Sequence, residues 1–113
     1  MARAPVQRKK ETMMTDAAIE TTDNTTEGAY RMAVDGAEQP AELTWRARGE
    51  ARIANHTFTP PEARGKGIAL KLVQAMVADA REQGFTIVPQ CPYVEAQFRK
   101  HADWADVRAK TPS

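Results

Sequence analysis

The chain has 113 residues, 42% hydrophobic and 27% charged, a length and composition that predict one small soluble domain rather than two. Its formal net charge of +1 gives no global electrostatic basis for binding nucleic acid or an anionic membrane, and no apolar run is long enough to span a bilayer. The single cysteine, Cys91, cannot form an intramolecular disulfide, which points to a reducing, cytoplasmic setting.

Residues 1–28 read as a tail, expected to be disordered. Met1 to Lys10 is basic, but no apolar segment follows. The acidic Glu11, Asp16, Glu20 and Asp23 argue against a transit peptide. Thr21 to Gly28 is too polar to bury surface, and Met13 and Met14 offer alternative translation starts. Arg8-Lys9-Lys10 reads as a short solvated charge run. The domain is expected over 29–108, with 109–113 as a frayed end.

Within the domain, Tyr30 to Val34 alternates loosely and ends at the turn signal Asp35-Gly36. Ala41 to Arg46 reads as a second strand and Ala51 to Phe58 as a third, separated by Arg48-Gly49-Glu50. Short turns between such strands predict an antiparallel meander. Thr59-Pro60-Pro61-Glu62-Ala63 leads out of the third strand into Arg64-Gly65-Lys66-Gly67-Ile68-Ala69. There the period changes: Ile68, Leu72, Val73, Met76, Val77 and Ala80 recur at helical spacing, and Gly84 stops the helix. Phe85 to Val88 is a short buried strand ended by Pro89, which implies a parallel crossover. A second helix begins at Pro92, with Val94 and Phe98 as its inner stripe and His101-Ala102-Asp103-Trp104 closing it. A short packed segment is expected around Trp104 and Val107. The expected fold class is α+β (α/β): a mixed sheet with an antiparallel N-terminal meander and a β-α-β-α C-terminal half.

The order strand, glycine-bearing loop, helix builds an anion site, because the first turn of a helix carries unpaired N–H groups and a partial positive charge. Gly65 and Gly67 lack the Cβ atoms that would hold a phosphate off the backbone, and Arg64 and Lys66 add positive charge. The residues themselves predict a di- or polyphosphate ligand. No metal site is expected.

The run Arg64-x-x-Gly67-x-Ala69 resembles the pyrophosphate-binding signature of the GNAT superfamily of acyl-CoA-dependent N-acetyltransferases. His56-Thr57, Pro61-Glu62-Ala63, Cys91-Pro92-Tyr93-Val94 and His101-Ala102-Asp103-Trp104 accompany it, and together they resemble the compact YjdJ-like branch. The resemblance covers Tyr30 to Val107. It implies that acetyl-CoA is the co-substrate, with its pyrophosphate on the loop Arg64 to Ala69. It further implies that the pantetheine arm lies between splayed strands, lined by Thr57, Phe58 and Thr59 on one side and Val88 to Cys91 on the other. The implied reaction moves an acetyl group to an amine, carried by a small molecule or a protein, in a ternary complex.

Cys91 precedes a proline that can start a helix, a position that stabilises a thiolate. It lines the thioester site or takes the acetyl group covalently; a small buried inert residue is the plain alternative. His56 is a candidate general base, or a strand residue that holds the neighbouring loop. Larger relatives often carry a tyrosine in the last helix as general acid. Phe98 stands nearest that place and has no hydroxyl, which leaves Tyr93 as a substitute and as a coenzyme contact. Trp45 and Trp104 read as core aromatics. Larger relatives cover the acceptor site with helices between their first two strands; only a turn from Asp35 to Pro40 fits here, so the resemblance implies an open acceptor side. The runner-up reading is a CoA-binding regulatory module; a nucleic-acid adaptor fits the near-neutral charge poorly.

Overall fold

The computed structural model describes residues 19–110. Among them, five strands form one sheet in the order β1-β2-β3-β4-β5. These are β1 (Ile19–Asp23), β2 (Glu27–Met32), β3 (Ala41–Arg48), β4 (Ala51–Phe58) and β5 (Thr86–Pro89), with helices α1 (Ile68–Gln83) and α2 (Pro92–Lys100). The first four strands pair antiparallel. The connection through α1 returns β5 parallel to β4, with Ala51↔Thr86 through Ala54↔Pro89 in register. The meander and crossover expected from the sequence are both present, as is the α+β class. No helix of the described residues is long and apolar enough to cross a membrane.

The expected tail differs in its described part. Ile19–Asp23 is a strand paired with β2 from Ile19↔Met32 to Asp23↔Gly28. Only Ile19 is half-buried and the rest of the strand is exposed, so what holds it is a backbone ladder that leaves no apolar pattern to read. Residues 1–18 and 111–113 lie outside the described residues. Ala109, expected to belong to a frayed end, is held: Arg108 bridges Ile87 and the Ala109 N–H bonds to the Ile87 carbonyl at 2.8 Å.

Alternation decides which face is covered. Tyr30, Met32, Ala41, Leu43, Trp45, Ala54 and Ile87 point to one face and pack with Leu72, Val73, Met76 and Val77 of α1 and Val94 and Phe98 of α2. Gly28 is required beneath Trp45: a Cβ there would stand 2.5 Å from the indole ring and 2.2 Å from the Thr22 carbonyl oxygen. Arg52 lies 4.0 Å from the centroids of both Trp45 and Phe85 and reaches Asp23 at 3.3 Å, which fastens the β1 end to the core. The Tyr30 hydroxyl donates to Asp79 Oδ2 at 2.8 Å, joining β2 to α1. The alternate residues, including Arg31, Thr44, Arg46, Ile53 and His56, face the other way, and both helices pack only on the first face. Among the described residues no helix covers that second, bare face.

Candidate functional site

The chain leaves β4 through Thr59 and Pro60, makes a 3-10 turn at Pro61–Ala63, and enters α1 through two residues with left-handed backbone, Gly65 at φ 81° and Gly67 at φ 75°. These φ values favour glycine. The Arg64 and Lys66 N–H groups bond to the Pro61 and Ala63 carbonyls, and the first α1 bond runs from the Lys71 N–H to the Gly67 carbonyl at 3.1 Å. The N–H groups of Gly65, Gly67, Ile68, Ala69 and Leu70 find no acceptor among the described residues. Five unpaired donors therefore fall within the loop and first turn at one helix start. They adjoin a cavity of about 380 Å³ lined by Thr59, Ala63, Arg64, Gly65, Gly67, Ile68, Ala69 and Tyr93. Lys66 is exposed beside it, and neither Arg64 nor Lys66 makes an ion pair among the described residues.

Beside this cavity the sheet opens. Pairing between β4 and β5 ends at Ala54↔Pro89, while β4 runs on for four residues, Asn55 to Phe58. A bulge lies at the same point: Thr44 pairs with His56 but Trp45 pairs with Ala54, leaving Asn55 as an extra residue. A bulge bends its strand and increases the twist. The Thr44 hydroxyl holds the extra residue by donating to Asn55 Oδ1 at 2.6 Å. One last bond, from the Cys91 N–H to the Ala54 carbonyl at 2.9 Å, closes the apex before the chain turns into α2. Beyond it, no strand pairs with the β5-facing edge of Asn55 to Phe58 among the described residues.

Cys91 sits at that apex, 7% exposed, as the residue before Pro92 at the start of α2. Its Sγ lies 3.5 Å from Thr57 Oγ1. Burial pushes the thiol up, but the Thr57 hydroxyl and then the Val94, Tyr93 and Thr57 N–H groups outweigh it, and the thiol rests below its ordinary value. The sulfur closes no capping hydrogen bond of full geometry, so the first-turn N–H groups act through their dipoles. The arrangement favours a thiolate at the point where the two strands part.

The other predicted residues divide between the two faces. Thr57 shares the covered face with Leu43 and turns toward Cys91, whereas His56 pairs with Thr44 and Phe58 with Glu42 on the bare face. His56 is exposed there, on the side of the sheet opposite Cys91. Tyr93 lies at the loop cavity, and burial raises its phenol above the ordinary value, which keeps it a hydrogen-bond donor. Phe98 is core, 5% exposed and edge-on to Trp104 at 5.3 Å.

Three features escaped sequence reasoning: the bulge at Asn55, the Thr44 hydrogen bond that holds it, and a concavity of about 600 Å³ on the bare face that ends at Asn55. A bulge shows in sequence only as a slip in alternation, and Ala54-Asn55-His56-Thr57 is too mixed to display one. No group of three or more His, Cys, Asp or Glu among the described residues is placed to hold a metal.

Comparison with known proteins places this geometry. The family model described as GCN5-related N-acetyl-transferase matches residues 29–107. A GCN5-like N-acetyltransferase candidate from Staphylococcus aureus, solved by NMR, superposes with a TM-score of 0.67 at 25% identity, covering 87% of this chain and 93% of that one. A crystal structure of ribosomal-protein-alanine N-acetyltransferase from Brucella melitensis biovar Abortus shares the fold at 19% identity. Its TM-score is 0.50, with 80% of this chain and 69% of that one covered.

Proposed function

The chain belongs to the GCN5-related N-acetyltransferase family, and on that premise we propose that it transfers an acetyl group from acetyl-CoA to an amine within a ternary complex. The observation that carries this reading is the set of five unpaired N–H groups at the start of α1, beside the opening between β4 and β5. The residues fit the coenzyme. The loop donors and Arg64 would hold its pyrophosphate, Gly65 and Gly67 leave room for it, and the free edge of β4 would accept the pantetheine amides as a strand would. Pro61-Glu62-Ala63 and Cys91-Pro92-Tyr93-Val94 support membership of the compact YjdJ-like branch, and the lone buried cysteine supports a cytoplasmic setting.

When bound, acetyl-CoA supplies an activated carbonyl. The amine nitrogen forms a bond to the carbonyl carbon, the C–S bond breaks, and of the two protons lost by the ammonium one reaches the departing sulfur and one reaches solvent. His56, exposed on the face opposite Cys91, would take the first proton. Cys91 and Thr57 line the thioester end, and Tyr93 offers a neutral phenol for the leaving sulfur.

Release of CoA, followed over a panel of amines and peptides, tests transfer directly. Cys91→Ala is expected to keep turnover within about tenfold of the wild type, because direct attack needs no covalent acetyl-enzyme. Loss of turnover in that variant, together with an acetylated Cys91 in wild-type protein, would replace the ternary complex by a covalent route. A second reading, a CoA-binding regulatory module, is favoured by one observation: Phe98, at the place of the usual acid, is buried without a hydroxyl. Tight CoA binding with no acceptor turned over would select it.

A further inference from the structure

Building on the transferase reading, the geometry assigns the acceptor site to the bare face of the sheet, and we propose that its substrate is a peptide amine whose neighbouring side chains are read by Glu27 and Arg46. Three observations meet here. The first is position: the concavity of about 600 Å³ on this face runs from Thr22 on β1, past Ala29 on β2 and Thr44 on β3, to Asn55 on β4. Its inner end is the bulge where β4 leaves β5, so an amine lying there approaches the opening from the side opposite the helices, beside the exposed His56.

The second is length. From β1 to β4 is three inter-strand spacings, about 14 Å, which matches four residues of extended chain at about 13 Å. A small monoamine would fill only a fraction of it. The floor is polar in the manner of a peptide partner: the Asn55 carboxamide N–H₂ is unengaged, and Arg31 binds Glu42 through Nε alone at 2.7 Å, leaving its terminal N–H groups available.

The third is charge. Glu27 and Arg46 are direct cross-strand neighbours in the cavity wall, both exposed, yet they form no ion pair with each other or with another described residue. Asp23, also in the wall, is occupied by Arg52 at 3.3 Å. The unused charges are thus one of each sign. A polycation would meet Arg46 and Arg31, and a polyanion would meet Glu27; a peptide of mixed side chains can satisfy both.

The test is acetylation of a positional-scanning library of short lysine-containing and free-N-terminus peptides, read by mass spectrometry. It compares wild-type protein with Glu27→Lys and Arg46→Glu, uses butylamine as the monoamine reference, and includes calorimetric titration of acetyl-CoA into each protein. The proposal expects peptides to exceed butylamine by at least about tenfold in kcat/KM. It also expects each reversal to shift the charge preference at a peptide position by about tenfold, in opposite senses for the two variants, with acetyl-CoA affinity unchanged. Intact acetyl-CoA binding with butylamine equal to every peptide, or with an unchanged charge preference in both variants, overturns this inference alone. Absence of acetyl-CoA binding in wild-type protein overturns the transferase reading with it.

Discussion

Gly67, the residue before α1, holds φ 75°, and a Cβ built on it meets nothing within 4 Å. Gly67→Ala therefore costs the free protein only left-handed strain, about 1–2 kcal/mol, while placing a methyl group among the unpaired loop donors. The expected outcome is a modest fall in Tm and a rise of more than tenfold in the Kd for acetyl-CoA, measured by calorimetry; unchanged affinity would mean that the backbone of this loop does not carry the phosphates. Cys91 makes a second residue-scale prediction. Its thiol titrates below the ordinary value because Thr57 and the first-turn N–H groups outweigh burial. Alkylation by iodoacetamide, followed against pH, should show a midpoint below that of the denatured chain, and Thr57→Val should move it up. The sign for stability follows: the thiolate's contribution is present in full above the unfolded pKa and is lost as pH falls through the native one. The glycines were legible in the sequence because they owe their conformation to the helix they open; Cys91 was legible as the residue before Pro92, but its Thr57 partner, 34 residues away, was not. His56 was legible only as a residue type, since the face it occupies depends on the bulge one position earlier.

At the scale of elements, β4 is the part on which the site turns. Its first four residues pair with β5, its last four do not, and the extra residue Asn55 separates the two halves. Removing Asn55 would restore regular pairing, leaving His56, Thr57 and Phe58 opposite Thr44, Leu43 and Glu42 but taking away the bend that the bulge puts into β4. The expected result of that deletion is a chain that keeps its far-ultraviolet circular dichroism but loses acetyl-CoA binding. Retention of normal binding would show that the opening does not depend on the bulge. Helix α1 was readable almost to the residue, because its apolar period and Gly84 are local signals. Strand β1 was not, because an edge strand held by its backbone ladder has no such pattern and shows itself only beside β2.

For the whole molecule, binding couples to folding. A ligand at 100 times its Kd stabilises the native state by about 2.7 kcal/mol, so acetyl-CoA should raise Tm by several degrees in a thermal-shift titration; a shift with oligonucleotides and none with acetyl-CoA would reverse the assignment. The small size of the fold has a functional side. Both helices share one face, where a single core joins Trp45, Leu72, Val94 and Trp104, and neither packs on the other face. The sequence by itself determined the order of elements from β2 onward and the glycine loop that precedes α1, since helical period and glycine conformation are properties of adjacent positions. Only the tertiary structure decided that Thr57 and Cys91 meet across 34 residues, that His56 faces away from them, and that the sheet opens after Ala54. Those facts depend on strand register and one bulge, which are set by pairing between distant segments rather than by any local run of residues.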